Sequence, residues 1–264
     1  MRSAMGRPWL DGRYAWLTSN VMSSLAAVQF LTIAPPLVRR PFTGEELGRA
    51  VGYFPLVGVL IGGFLIEADR FLTLFLPPSV AAALVLTGWV WCTGALHLDG
   101  FLDSCDGLFG GRTPEDRLRI LRDEHVGAFT VIGGVLLLMV KFQGLAALQN
   151  RSAALCLAPV LGRWGMAVAV VAFPYARAEG LGRTMKDHAG WGQALLASAC
   201  AGGGAWYAAE WRGLIALLLC GVLTFLVACF ALKRLRGLTG DIYGALCELL
   251  EVLVLLSFVV KERG

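Results

Sequence analysis

HLDGFLDSCDGLFGG, residues 97–111, is the stretch that decides how the rest of the chain is interpreted. Its acids Asp99, Asp103 and Asp106 stand at i, i+4 and i+7, so a helix would project all three carboxylates from one face. Like charges on one stripe repel, and a helix gains no stability from them. A hard cation that takes oxygen ligands, Mg²⁺ above all, would remove the repulsion. The spacing therefore predicts a metal site, with chance acids on a solvated helix end as the alternative.

The sequence on both sides of this stretch is strongly apolar. Of the 264 residues, 57% are hydrophobic and 16% are charged, and the mean hydropathy is +0.67. Soluble domains carry about 25% charged residues. Because the apolar residues form long runs, we predict an all-α polytopic membrane bundle of about six to seven transmembrane helices. With no internal repeat or linker, residues 1–264 are expected to form one integral membrane domain, with 1–40 including an interfacial N-terminal helix.

Helix signals divide the chain into elements. Thr43 with Glu46, and Thr113 with Pro114 and Asp116, are typical of helix starts closed by a capping box. A charged interruption at Glu67 indicates either that the first span ends near residue 66 or that Glu67 faces the protein interior. The predicted spans are 53–66, 80–96, 127–148, 152–173, 193–209, 213–232 and 242–260.

Loop charges predict the orientation. The loops 97–126, 174–192 and 233–241, and the segment 39–49, hold most of the loop arginines and lysines. The positive-inside rule places them in the cytoplasm, so we expect the acidic site to face the cytoplasm. Seven spans would leave Lys261 and Arg263 outside, against that rule. The net charge of +4 is modest and indicates membrane orientation, with no nucleic-acid partner.

Three further residues near the acidic stretch are site candidates with structural alternatives. Asp123 is a candidate fourth metal ligand, or forms a local pair with Arg122 or a helix cap. Asp241 completes the acidic cluster or orients a nucleophile, or is the N-cap of the last helix. His97 is a candidate catalytic group, although a lone histidine is more often a satisfied hydrogen-bonding residue.

Ionisable residues within the apolar runs are candidate functional groups because each costs roughly 2.5–3.5 kcal/mol at mid-bilayer. Lys141 is a candidate substrate-binding residue. The structural alternative is an ion pair between spans, of Lys141 with Glu248 or of Arg163 with Glu251.

Basic residues beside the site are candidates for holding phosphate groups, with membrane orientation as their alternative role. They are Arg122, Arg177, Arg183 and Lys186. Carboxylates that hold Mg²⁺ among basic loops suit transfer chemistry on a pyrophosphate, in which the metal neutralises charge on phosphate oxygens.

Several motifs together resemble a known family. They are ALHLDGFLDSCDGL at 95–108 continuing to Gly111, ILRDEHVGAF at 120–129, FLT at 30–32, YFPLVG at 53–58 and TGD at 239–241. In order and spacing, over about residues 25–250, this set strongly resembles the cobalamin synthase family, adenosylcobinamide-GDP ribazoletransferase.

The resemblance implies a Mg²⁺-dependent membrane enzyme that joins adenosylcobinamide-GDP to α-ribazole or its 5′-phosphate and releases GMP. Membrane lipid is an expected partner, and association with a second copy or with other enzymes of the pathway stays open. Carried onto this sequence, the resemblance points to the site residues Asp99, Asp103, Asp106, Asp123 and Asp241, the first four as metal ligands.

Two other functions compete with this interpretation. The D-x-x-D-G of CDP-alcohol phosphotransferases matches residues 103–107, but Arg112 falls one place late and the following G-x-x-x-D-x-x-x-D is missing. A cation transporter would use Glu67, Glu248 and Glu251 along a membrane path. Against it, the acids cluster at one end of the spans.

Overall fold

A computed structural model describes residues 8–123 and 125–260, and within them every regular element is helical. The all-α prediction is confirmed. The helices are α1 Pro8–Leu31, α2 Gly44–Ala50, α3 Phe54–Thr73, α4 Pro78–Cys92, α5 Leu96–Gly110, α6 Pro114–Ile120, α7 Ala128–Ala147, α8 Ser152–Ala172, α9 Leu181–His188, α10 Trp191–Leu235 and α11 Gly240–Val259.

Among the described residues, five helical stretches are long and apolar enough to cross a membrane. They are Gly44–Thr73, α7, α8, α10 and α11. A sixth crossing is formed if α4 and α5, which meet at an angle of 88°, are counted as one broken span. The polytopic membrane architecture is therefore confirmed.

The long helix α10 consists of two arms. Ala209 and Glu210 depart from helical geometry, with Glu210 at φ 45°. The side chain of Trp164 on α8 donates to Ser198 on the first arm and lies against Gly221 on the second. Gly213 packs against the Ala205 carbonyl across the break, so the chain reverses there. The two arms correspond to the predicted spans 193–209 and 213–232.

The basic segments meet at one end of the bundle. His188 of α9 packs on α2 at Gly44 and Gly48. Tyr175 pairs with Leu238 through a short bridge. Arg234, at the end of α10, donates to the Leu108 carbonyl of α5. This clustering agrees with the prediction that all four basic segments lie on the same side of the membrane.

The opposite end is held by Arg151, which is buried. Its guanidinium contacts the Asp69 carboxylate and the carbonyls of Leu145 and Pro78. Arg212, at the turn between the arms of α10, lies over the Phe258 ring near the end of α11. Lys261 and Arg263, which conflicted with the charge rule, lie outside the described residues.

The predicted caps are largely confirmed. Thr43 and Glu46 form a complete capping box. Thr113 caps α6 by accepting from the Asp116 amide, and Pro114 is in the first turn. The N-cap of α11 is Thr239, so the alternative in which Asp241 is the cap of this helix is excluded.

The helix α3 continues past its apolar part to Thr73. Glu67 forms a surface pair with Arg70, and its side chain is 69% exposed. The alternative in which Glu67 faces the protein interior is therefore excluded. The charged residues lie on turns that extend α3 beyond its apolar part.

Glycine contacts hold α3 against α8, the most buried helix of the bundle. A Cβ atom on Gly58 would lie 2.6 Å from the Pro159 carbonyl oxygen and from the Val160 Cα. A Cβ on Gly62 would lie 2.9 Å from the Leu155 carbonyl oxygen. Small residues at such positions let two helix backbones approach closely in a membrane.

We predict that Gly58→Ala lowers the free energy of unfolding in detergent by about 1–3 kcal/mol, because the methyl group would overlap the α8 backbone. Gly63→Ala is the matched control on the same helix, since a Cβ there meets nothing within 4 Å. Thermal unfolding of both variants checks this. Equal stability of the two would contradict the packing described here.

Candidate active site

A left-handed turn redirects the chain into α5. Gly94 and Ala95 both have positive φ, 60° and 57°. For Ala95 this conformation carries strain of about 1–2 kcal/mol. The Ile33 amide donates to the Cys92 carbonyl and ties the turn to the end of α1. The helix that follows puts Asp99, Asp103 and Asp106 on one face, as predicted.

The helices α5 and α11 cross at two glycines. A Cβ on Gly100 would lie 2.9 Å from the Asp241 carbonyl oxygen, and a Cβ on Gly244 would lie 3.0 Å from that of His97. This close crossing brings the start of α11, with Asp241, beside the acidic face of α5.

Three of the five aspartates contact other groups of the protein, and two of these three are held by neighbouring elements. Asp106 accepts from the Gly127 amide at 2.7 Å and the Thr130 amide at 3.2 Å, so it stabilises the N-terminus of α7. Asp241 pairs with Arg177 at 2.6 Å and accepts from the Thr239 hydroxyl at 3.2 Å.

Asp123 contacts His125, two residues along, at 2.5 Å. This hydrogen bond lowers the pKa of Asp123 and raises the pKa of His125. Both groups lie on the surface outside the spans. The alternative pairing of Asp123 with Arg122 is not the contact found in the structure.

The carboxylates of Asp99 and Asp103 have no hydrogen-bond or ion-pair partner within residues 8–123 and 125–260. With Asp123, Arg122 and His125 they line a cavity of about 310 Å³, here called the acidic cavity. The Asp103 carboxylate also interacts electrostatically with Asp99, Asp106 and Asp241, and with Arg177. Four predicted site aspartates are thus close enough to act on one another.

Among the described side chains, as they are placed, no group of three or more His, Cys, Asp or Glu is close enough to hold a metal ion. Mg²⁺ differs from metals held by full protein cages, because it uses one or two carboxylates together with substrate phosphates and water. The uncommitted oxygen donors Asp99 and Asp103, with Asp123 on the same cavity, match that requirement.

Comparison with known proteins decides the family. The family described as cobalamin-5-phosphate synthase (CobS) matches residues 23–259. The chain belongs to this family. It is 40% identical over 240 residues to an adenosylcobinamide-GDP ribazoletransferase of Pseudomonas syringae pv. syringae (strain B728a), covering 89% of this chain and 97% of the relative.

A second relative of the same name, from Desulfitobacterium hafniense (strain Y51), is 38% identical over 242 residues, covering 88% of this chain and 94% of its own length. One from Roseiflexus sp. (strain RS-1) is 37% identical over 242 residues, covering 89% and 88%. No solved structure matches the chain.

The candidate phosphate-binding residues of this cobalamin-5-phosphate synthase family member fall in different places. Arg122 lines the acidic cavity. Arg183 pairs with Asp187 on α9. Lys186 donates to the Val171 carbonyl at the end of α8, and burial lowers its pKa. Arg177 lines a second cavity together with Asp99 and acts electrostatically on Asp103. Of the four candidates, the structure therefore brings Arg122 and Arg177 to the uncommitted aspartates.

Lys141 is buried in an ion-pair network between helices. Its ammonium contacts Glu248 at 2.6 Å and also Glu251. Arg163 contacts the other oxygen of Glu251. Both ion pairs that the sequence suggested are confirmed. Because the two carboxylates are paired with cations, they do not form the open acidic path that a cation transporter would need.

The network extends to the site through His97. The Arg163 guanidinium lies 3.4 Å from His97 Nδ1, and the imidazole is 1% exposed. The same network touches α4, where Lys141 lies 4.4 Å from the Trp89 ring centroid. His97 is thus a buried residue held by a charged neighbour.

Sequence reasoning missed Tyr243, which is not among the site candidates. It included Arg177 as a candidate for holding phosphates, but it missed the pairing of Arg177 with Asp241. The contact between Arg177 and Asp241 joins residues 64 apart in the chain. No local pattern indicates such a pair, because it depends on where α8 ends and where α11 begins.

We predict that Lys141→Met lowers the free energy of unfolding by about 3–5 kcal/mol, because it leaves two buried carboxylates without a cation. Thermal unfolding in detergent measures the loss. Lys233→Met is the control, since Lys233 is exposed and surface substitutions stay within about 0.5 kcal/mol. If Lys141 instead binds substrate, the variant would keep its stability and show a raised substrate KM.

Proposed function

We propose that the chain joins adenosylcobinamide-GDP to α-ribazole or its 5′-phosphate and releases GMP at the acidic cavity. The observation that carries this proposal is the family match over residues 23–259. Two aspartates of the matched segment, Asp99 and Asp103, line one cavity, and their carboxylates have no partner among the described residues. The reaction needs negative groups that are free to hold a cation, and these two carboxylates meet that need.

The transfer exchanges one phosphorus–oxygen bond for another. A ribose hydroxyl of ribazole attacks the phosphorus that carries cobinamide, and the bond between that phosphorus and the bridging oxygen breaks. GMP leaves with the electron pair, and a carboxylate of the acidic cavity accepts the hydroxyl proton. Positioning and electrostatic stabilisation supply most of the catalysis in such transfers.

Mg²⁺ held by Asp99, Asp103 and Asp123 would neutralise charge on the diphosphate oxygens. Arg122 on the cavity wall is available to the same phosphates. The Asp241 carboxylate accepts a hydrogen bond from Arg177. This pair would hold the Arg177 guanidinium near the diphosphate. Asp106 keeps the start of α7 in place through two backbone amides, which is a positioning role.

The site is proposed to face the cytoplasm of a bacterial inner membrane. The support is that all four basic segments gather at the end of the bundle where the aspartates lie, which the positive-inside rule assigns to the cytoplasm. Exposed apolar side chains on α7 and on both arms of α10 provide the lipid contact.

In purified protein we expect GMP release from adenosylcobinamide-GDP and α-ribazole phosphate that depends on added Mg²⁺ and is lost with EDTA. The dependence follows from the carboxylate chemistry of the cavity. Chromatographic detection of GMP measures it. Turnover of CDP-alcohols, or ion flux in liposomes without GMP release, would favour the competing functions and refute this one.

We predict that Asp103→Asn reduces kcat by at least about 10²-fold, the scale of losing one electrostatic group at a reacting phosphate, while the Tm in detergent stays near that of the wild type. Asp116→Asn is the control. That aspartate is on α6, and its ion pair within residues 8–123 and 125–260 is a surface one with Arg119 at 3.6 Å. Near-normal turnover of Asp103→Asn would remove Asp103 from the site.

A further inference from the structure

A second cavity, of about 260 Å³, adjoins the acidic one. Its walls are mainly aromatic and apolar, formed by Phe30, Phe54, Met166, Val170, Tyr175 and Tyr243. The rings occur in pairs, Phe30 with Phe54 at 6.2 Å between centroids and Tyr175 with Tyr243 at 6.1 Å. We call this the aromatic cavity. Such walls suit a flat ring system that stacks on or packs between aromatic side chains.

Three buried polar atoms of this cavity's lining residues have no hydrogen-bond partner among the described groups. They are His97 Nε2, Arg177 Nε and the Tyr243 hydroxyl. Arg177 already pairs with Asp241 through a terminal nitrogen. His97 is 1% and Tyr243 is 4% exposed. Leaving a buried donor or acceptor unpaired is unfavourable, so each such group calls for an explanation. A ligand that enters the cavity would supply the missing partner.

The neighbour of His97 decides which hydrogen bond it offers. Arg163 can only donate, so the Nδ1 atom that faces it at 3.4 Å accepts. In a neutral imidazole the proton is then on Nε2. His97 Nε2 is therefore a donor, and the Tyr243 hydroxyl can donate or accept. The free donor at His97 Nε2 favours a ligand ring that has an acceptor nitrogen at its edge.

The size of the cavity limits the ligand to one small ring system. Ligand pockets measure roughly 300–1,000 Å³, so about 260 Å³ holds a bicyclic base and excludes a corrin ring. Guanine carries polar groups around most of its edge, and the apolar part of the cavity at Phe30, Met166 and Val170 gives them no partner. That edge would have to face the charged lining residues instead, which are Asp99, Arg177, Glu179 and Asp241. A benzimidazole has an apolar edge and one free acceptor nitrogen.

We infer that the aromatic cavity binds the benzimidazole base of the ribazole substrate, with His97 and Tyr243 as the groups that recognise its free nitrogen. This inference rests on the proposed function. Asp99 lines both cavities, so a base seated here leaves its ribose beside the acidic cavity. The attacking hydroxyl and the diphosphate then meet at Asp99.

Steady-state kinetics of Tyr243→Phe tests the inference. This variant removes only the hydroxyl, and we expect the KM for α-ribazole phosphate to rise about 3- to 10-fold, the effect of one neutral hydrogen bond. The KM for adenosylcobinamide-GDP should stay unchanged. Tyr207→Phe is the matched control, because Tyr207 is 91% exposed. A rise confined to the adenosylcobinamide-GDP KM would overturn the inference and assign the cavity to guanine.

The donor role of His97 is tested by two replacements. His97→Gln keeps an N–H near the Nε2 position and should retain more ribazole affinity than His97→Asn, whose amide corresponds to Nδ1. Equal ribazole KM values for the two would contradict the assignment. Circular dichroism and Tm establish that each variant is folded.

Direct binding keeps the test independent of turnover. Wild-type protein in detergent is titrated with 5,6-dimethylbenzimidazole alone and, separately, with guanosine, by saturation-transfer NMR. We expect saturation transfer to the benzimidazole that is lost in Val170→Trp, which fills the cavity. Protein that releases GMP but does not bind the benzimidazole would refute this inference and leave the proposed function intact. Protein that binds the base but releases no GMP would refute the proposed function alone.

Discussion

A buried set of charges connects the helices around the site. Lys141 on α7, Arg163 on α8 and Glu248 and Glu251 on α11 neutralise one another inside the bundle. Each group would be costly alone in a medium without water, and the pairs remove most of that cost. The same network reaches His97 on α5 through Arg163. The position of α5 is therefore coupled to the packing of the core.

The acids of the site divide into two kinds by what they contact. Asp106 and Asp241 are held by the α7 amides and by Arg177, and they fix the neighbouring elements. Asp99 and Asp103 have no such partner in the described part of the chain. A group that must bind a cation and phosphates has to be free to do so, whereas a group that supports the fold has to be satisfied.

Local signals were sufficient for much of this fold. Apolar runs, the Thr43 and Thr113 caps and the i, i+4, i+7 acids depend on neighbours within a few residues, and the structure confirms them. The sequence also indicates the interhelical ion pairs of Lys141 and Arg163 as an alternative, because a buried charge in a membrane needs an opposite charge. The bend of 88° between α4 and α5 was not predicted. It depends on residues 94–95 adopting left-handed geometry, which an alanine rarely does.

The sequence by itself determined that this chain is a helical membrane protein, which family it resembles, and which aspartates share one helix face. Those properties follow from composition, periodicity and motif spacing. Only the tertiary structure decided which aspartates are free, and that Tyr243 and His97 share a cavity with Asp99. These facts depend on close approach of α5 to α11 at Gly100 and Gly244. Contacts between residues more than a hundred positions apart leave no local trace in the sequence.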